Sequence, residues 1–112
     1  MSDLYRAGEV YVRGVFAGVI SETDTGYMFS YDRAYLDSDL PLPLSITMPL
    51  RDEEYTSSTL FSFFDGLIPE GWLLDVAVRS WKINRSDRFG LLLKCCRDCI
   101  GDVSVKEADH EM

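Results

Sequence analysis

Histidine is nearly absent from this chain, with His110 the only one among 112 residues. Ser-His-Asp and Cys-His nucleophile systems need an imidazole within hydrogen-bond reach of the nucleophile. His110 stands in a polar segment close to the C-terminus. We therefore expect no hydrolase of either type, and we expect the chain not to be an enzyme.

Nucleotide-binding loops are also missing. The chain has no G-x-x-x-x-G-K-[ST] and no G-x-G-x-x-G, the glycine patterns that cradle phosphates. Asp87-Arg88-Phe89-Gly90 looks like a kinase Asp-Phe-Gly, but Arg88 alters its spacing and no His-Arg-Asp catalytic loop is present. The chain is therefore not the ATP-binding part of a kinase, and no cofactor is expected.

Basic residues are fewer than acidic residues in this chain. The sequence has 11 basic and 19 acidic residues, which gives a formal net charge of −8. Such a surface repels phosphate backbones, because nucleic-acid binding depends on lysine and arginine displacing counterions. Direct nucleic-acid binding is not expected, whereas a protein partner with basic patches would suit this charge.

Long apolar runs are absent as well. No stretch approaches the roughly 18 residues that a membrane span requires. The first residues, Met-Ser-Asp-Leu-Tyr-Arg, have neither the basic region nor the apolar core of a signal peptide. We expect no membrane partner and a cytoplasmic location.

The three cysteines lie close together as Cys95, Cys96 and Cys99. Cys96 and Cys99 form a CxxC, and His110 could supply a further ligand, so a small zinc or thiol module is one alternative. Structural zinc sites usually draw ligands from two separated segments, whereas these three share one. Reduced thiols buried beside the leucines at 91–93 are the favoured interpretation, and no metal is expected.

The N-terminal part has the pattern of an antiparallel meander. Strands are predicted at 10–12, 15–21 and 27–31, joined by turns at Arg13-Gly14 and at 23–26. A helical turn is possible at 33–36, and the proline-punctuated segment that follows allows a short extended piece at 45–48.

Helical spacing dominates the second half. Leu60, Phe63, Phe64 and Leu67 fall at i, i+3, i+4 and i+7, which predicts a helix packed on the core with Ser57 or Ser58 as its cap. Further helices are expected to about residue 82 and at 87–96, and a strand at 101–105. The fold class is α+β: a small antiparallel sheet, from the N-terminal meander and the C-terminal strand, with about three helices on one face. We expect residues 1–8 to be flexible, 9–105 to form one domain, and 106–112 to be a disordered acidic tail.

A corner between the first two of these helices is the predicted binding site. Pro69 cannot continue the preceding helix but suits the first position of the next one, so the chain turns near Ile68. Trp72 then falls in a first helical turn, where a partly exposed tryptophan is a common binding anchor. We predict a partner-binding site at Ile68, Pro69, Glu70, Gly71 and Trp72. The alternative is that Trp72 is a core residue.

Six stretches, taken in order, resemble the N-terminal domain of HipA-type serine/threonine kinase toxins. They are VFAGVI at 15–20, SYD at 30–32, PLSITMPL at 43–50, FFDGLIPEG at 63–71, DRFGLL at 87–92 and RDCIG at 97–101. The resemblance covers roughly residues 9–105. Two departures from the family pattern are Trp72, where many members have a small or polar residue, and Asp102, where alanine is usual.

The resemblance implies a role in a toxin–antitoxin system. In the family this domain precedes a kinase core. Free-standing copies form the HipS family of HipBST-type systems, in which they neutralise a short HipT kinase alongside a DNA-binding HipB. We therefore expect an antitoxin with HipT-type and HipB-type partners. The alternative within the family is an N-terminal scaffolding domain cut from a full-length HipA-type kinase.

Overall fold

A computed structural model describes residues 6–68, 72–84, 86–96 and 102–108, with the backbone alone at 72 and 73. Its elements follow in chain order: β1 (Ala7–Val12), β2 (Val15–Thr23), β3 (Gly26–Tyr31), α1 (Arg33–Leu36), β4 (Tyr55–Ser57), α2 (Ser62–Asp65), α3 (Trp72–Trp81), α4 (Arg88–Cys95) and β5 (Val103–Glu107). The predicted α+β class is confirmed. No helix in the described ranges is long and apolar enough to cross a membrane.

The strands form one antiparallel sheet in the order β4-β3-β2-β1-β5. Arg13 and Gly14 both have positive φ, 52° and 82°, as a two-residue hairpin turn requires. Gly26 begins β3, and a Cβ there would lie 2.0 Å from the Ser57 carbonyl oxygen of β4. The predicted meander and the predicted closing strand are thus both present.

The core lies between the sheet and the helices. Alternate residues of β1 are buried, as expected for a sheet with one covered face. Phe29 of β3, Phe64 of α2 and Phe89 of α4 are fully buried. The rings of Phe29 and Phe64 lie 5.7 Å apart between centroids, which fixes α2 directly on the sheet.

The first predicted core helix is shorter than expected. It begins at Ser62 and has Phe61 at its N-cap with no side-chain cap, so the expected capping by Ser57 or Ser58 is wrong. Ser57 instead ends β4, where it pairs with Tyr27. Only Phe64 of the predicted apolar stripe is fully buried, while its neighbours are partly buried against the core.

Two tyrosine hydroxyls hold the proline-rich segment between α1 and β4. The Tyr31 hydroxyl donates to the Met48 carbonyl and accepts from the Leu44 N–H at 2.9 Å, and burial raises the pKa of Tyr31 to about 12. The Tyr35 hydroxyl donates to the Leu42 carbonyl at 2.6 Å and accepts from the N–H of the same residue. In place of the short extended piece expected at 45–48, the structure has an isolated antiparallel β-bridge between Ser45 and Met48.

An ion-pair cluster ties the start of the chain to α4. The Arg6 guanidinium lies 2.8 Å from a Glu22 carboxylate oxygen and 2.9 Å from one of Asp87. Asp87 also caps α4, since its side chain accepts from the Gly90 N–H at 3.1 Å. Arg6 therefore has fixed partners on β2 and at the start of α4, and the expected domain limits stay a prediction.

The Arg6 cluster predicts a specific loss of stability in acid. Hydrogen bonds from Arg6 lower the pKa of both Glu22 and Asp87. A lowered folded-state pKa stabilises the protein above the unfolded value, about 4, and that contribution is lost as pH falls toward the folded value. We expect the free energy of unfolding to fall more steeply below about pH 4 in the wild type than in Arg6→Gln.

Urea titrations across this pH range measure the effect. The matched control is Arg33→Gln, which removes an ion pair to Asp52 whose side chains are 69% and 68% exposed. The control should keep the wild-type acid slope, because exposed pairs contribute little. Equal slopes for Arg6→Gln and the wild type would contradict this assignment.

Candidate partner-binding corner

The predicted binding site lies between α2 and α3. Ile68 is 3% exposed, so in the free domain its side chain belongs to the core. Pro69, Glu70 and Gly71 lie outside the described residues. Trp72 is the first residue of α3, which agrees with the expectation that it stands in a first helical turn. The binding role of these five residues stays a prediction.

The chain entering the corner is anchored on α4. Arg88 donates from Nε to the Asp65 carboxylate at 2.7 Å, which fixes the end of α2. The Cys96 thiol donates to the Leu67 carbonyl at 3.3 Å. Together with the burial of Ile68, these contacts place the last residues before the corner against the core.

The chain leaving the corner is anchored through α3. Leu74 and Val78 pack against the core. The helix ends in a left-handed residue, Lys82 with φ of 54°, and the Ile83 N–H bonds back to the Val78 carbonyl at 3.2 Å. This is the hydrogen bond of a Schellman ending. Because both flanks are held, a partner that binds the corner would not have to order them first.

The side of α3 that faces away from the core carries exposed residues. Val76 is 45% exposed, and Arg79 is also exposed. Positions 72, 76 and 79 are spaced i, i+4 and i+7, so they share one helix face. This face, which we call the α3 outer face, lies across the helix from Leu74 and Val78. Position 72 was predicted from the sequence, whereas Val76 and Arg79 were not, and the only sequence signal that groups them with it is this spacing.

The second tryptophan has a different setting. Trp81 is 52% exposed at the end of α3, with the Lys94 ammonium 5.9 Å from its ring centroid. Lys94 in turn pairs with Glu107 of β5 at 3.0 Å. Position 81 lies on the opposite side of α3 from position 72, so Trp81 is not part of the α3 outer face.

A separate apolar surface is found on the segment between α1 and β4. Leu40 is 90% exposed, Ile46 is 96% exposed, and Leu42 is also exposed. Leu40 has φ of 51°, an unusual conformation for a leucine. Sequence reasoning assigned this segment no function, and its alternating leucines and prolines were the available signal.

The structure describes only part of the alternative metal site. No group of three or more potential ligands is placed there to hold a metal ion. Cys96 is fully buried, as the favoured interpretation expects, whereas Cys99 and His110 lie outside the described residues. The carboxylates at 37 and 39 and at 52–54 are exposed.

Comparison with known proteins gives one consistent family. The family model for the HipA N-terminal domain, a non-catalytic domain, matches residues 8–106. An uncharacterized protein of Haemophilus influenzae is 36% identical over 107 residues, which is 96% of this chain and 97% of that protein.

Solved structures agree with this match. A structure described as the N-terminal domain of HipA toxin is 30% identical, with a TM-score of 0.72 and 95% of each chain covered. HipA of Shewanella oneidensis, solved with HipB and its operator DNA, shares the fold at a TM-score of 0.71 and 22% identity. The alignment covers 94% of this chain but only 24% of that HipA.

Proposed function

Because the chain belongs to the family of HipA N-terminal domains, which is associated with toxin–antitoxin systems, we propose that it is an antitoxin. In this proposal it acts as a HipS-type protein that binds and neutralises a HipT-type serine/threonine kinase toxin. A HipB-type DNA-binding protein is the third member of the complex, and the complex is cytoplasmic.

The observation that carries the proposal is the extent of the family match. Almost the whole chain aligns with almost the whole of a separate HipA N-terminal domain structure. The chain also lacks the glycine loops and the His-Arg-Asp motif that a kinase needs to bind ATP and transfer phosphate. A domain of this kind acts by contact with a partner.

The corner at 68–72 is the proposed contact. Both of its flanks are fixed, on one side by α4 and on the other by the core-facing residues of α3. We propose that Pro69, Glu70, Gly71 and Trp72 contact the kinase near its active site and that Ile68 holds the corner in place from the core. A partner in trans has no covalent tether, so it needs a strong anchor, and Trp72 supplies it.

A second candidate function comes from a longer relative. In a putative kinase of Sinorhizobium fredii that is 31% identical over 83 residues, the matched part is 20% of the protein, which favours a scaffolding domain acting in cis within a kinase. The genomic reading frame separates the two candidates. A stop codon directly after Met112 supports the antitoxin, whereas an open frame that continues into a kinase core supports the scaffold.

Calorimetric titration tests the proposed binding directly. The purified protein is titrated into a HipT-type kinase. We expect a saturable complex with nanomolar to micromolar affinity, the usual range for specific protein pairs. The absence of a binding isotherm at micromolar concentrations would contradict the proposal.

A further inference from the structure

The two edges of the sheet are protected differently. The outer edge of β5 is covered by the end of α4, since the Val105 N–H donates to the Cys96 carbonyl at 2.8 Å. The same strand carries Lys106 and Glu107, and charged side chains are a common guard of sheet edges. At the opposite edge, β4 (Tyr55–Ser57) contains no charged residue, no proline and no register shift. The β4 edge therefore lacks these guards.

Backbone groups of β4 point outward along this edge. The Ser57 carbonyl oxygen faces β3, because it would lie 2.0 Å from a Cβ on Gly26. The N–H and C=O groups of successive residues in a strand point to opposite sides, so those of Thr56 point away from β3. Outside the strand ladders, no backbone hydrogen bond among the described residues uses either group of Thr56. One donor and one acceptor are thus open to another strand.

Two hollows border β4. The first has a volume of about 310 Å³ and is walled by the partly buried apolar side chains of Leu60, Phe61 and Phe63. The second, of about 390 Å³, lies toward the turn between β2 and β3, and every residue that lines it carries a hydroxyl group. A peptide laid along β4 would therefore meet one apolar hollow and one polar hollow.

The charges around β4 favour a basic occupant. Glu53 and Glu54 directly precede the strand and are exposed. Neither carboxylate takes part in an ion pair among the described residues, and the neighbouring Arg51 bonds instead to their main-chain carbonyls. Within the described ranges, no lysine or arginine lines either hollow. Charge complementarity thus selects a segment with lysine or arginine at the end beside Glu53 and Glu54.

We propose that the β4 edge binds an extended, basic segment of a protein partner by strand addition. The segment pairs with the outward N–H and C=O of Thr56, and these main-chain hydrogen bonds supply affinity. Selectivity comes from an apolar side chain placed in the hollow beside Leu60, Phe61 and Phe63. This surface shares no residue with the corner at 68–72, and the proposal stands or falls independently of the antitoxin role.

Short random peptides displayed on phage test the proposal, with the wild type and Thr56→Pro as parallel baits. Proline removes the outward N–H of Thr56 and is tolerated on an edge strand whose N–H faces solvent. We expect the peptides enriched on the wild type over Thr56→Pro to alternate apolar and polar residues and to carry lysine or arginine at one end. If no such peptide is enriched, the proposal is overturned.

Fluorescence anisotropy with one enriched peptide, made synthetically, measures the effect of each element. Thr56→Pro should bind about tenfold more weakly than the wild type, since one backbone hydrogen bond is lost. The double variant Glu53→Gln/Glu54→Gln should bind several-fold more weakly at low salt. Its control, Asp37→Asn/Asp39→Asn, removes two charges from other exposed positions and should bind like the wild type. Equal thermal midpoints confirm that the variants are folded.

Peptides methylated on backbone nitrogens keep the test independent of any variant. In a strand paired along one edge, only alternate amides face the partner. Methylation of the amides that face β4 should abolish binding to the wild-type protein, whereas methylation of the intervening amides should leave it unchanged. Equal affinity of the two methylated peptides would overturn strand addition, as would equal affinity of the unmodified peptide for folded Thr56→Pro and the wild type.

Discussion

Replacing Trp72 with alanine should weaken kinase binding by about 30-fold or more, which corresponds to about 2 kcal/mol, the threshold for an interface hot spot. The reason lies in the position of residue 72. It opens α3 beside a corner with anchored flanks, and it shares a face with exposed Val76. Calorimetric titration of the kinase measures the loss.

The chain contains a matched control for this variant. Trp81→Ala removes the other tryptophan, which is 52% exposed and lies across α3 from residue 72. It should keep the wild-type affinity, because Trp81 is not on the α3 outer face. Wild-type affinity in Trp72→Ala would contradict the proposed corner, and equal losses in both variants would show that binding is not specific to the α3 outer face.

Replacing Phe64 with alanine should lower the free energy of unfolding by about 3–5 kcal/mol, the range for truncating a buried phenylalanine. Phe64 is fully buried, and its ring contacts Phe29 of β3 and both neighbouring phenylalanines of its own segment. A domain of this size has about 5–15 kcal/mol of total stability, so this loss is a substantial fraction of it. Urea denaturation measures the change.

Phe63→Ala is the control for Phe64→Ala. It removes a ring of the same size from the same helix, but Phe63 is only partly buried. Its loss of stability should be clearly smaller. Similar losses would mean that α2 contacts the core through both residues equally. The Phe64 and Trp72 variants thus separate a residue that supports the fold from a residue that we propose binds the partner.

Regular patterns made most of the fold predictable. Strands β1 and β5 have buried apolar residues on alternate positions, and the turns that bound β2 and β3 use Arg13-Gly14 and Gly26. Strand β4 was missed because three residues, Tyr55–Ser57, are too few to show a period. β4 forms because it pairs with the edge of β3, and that edge exists only once the sheet has assembled.

Contacts between distant residues could not be predicted in the same way. The Tyr31 hydroxyl bonds to residues 13 and 17 positions away, and Arg6 pairs with Asp87 across 81 positions. No local pattern encodes such pairs. The contacts of Arg6 were therefore not predicted, since nothing near it in sequence indicates its partners.

Only part of the candidate site could be predicted from the sequence. Pro69 and the apolar spacing before it located the corner, and Trp72 stood out by its size and position. Val76 and Arg79 could be recognised only once Leu74 and Val78 showed which side of α3 faces the core.

The rate of phosphoryl transfer by the HipT-type kinase, measured as this protein is added, tests the central claim most directly. We expect the rate to fall to a small residual value as the two proteins approach equal concentrations. We also expect Trp72→Ala to shift the inhibition curve to higher concentration, whereas Trp81→Ala should not. A kinase that is equally active with and without a saturating amount of this protein would contradict the claim.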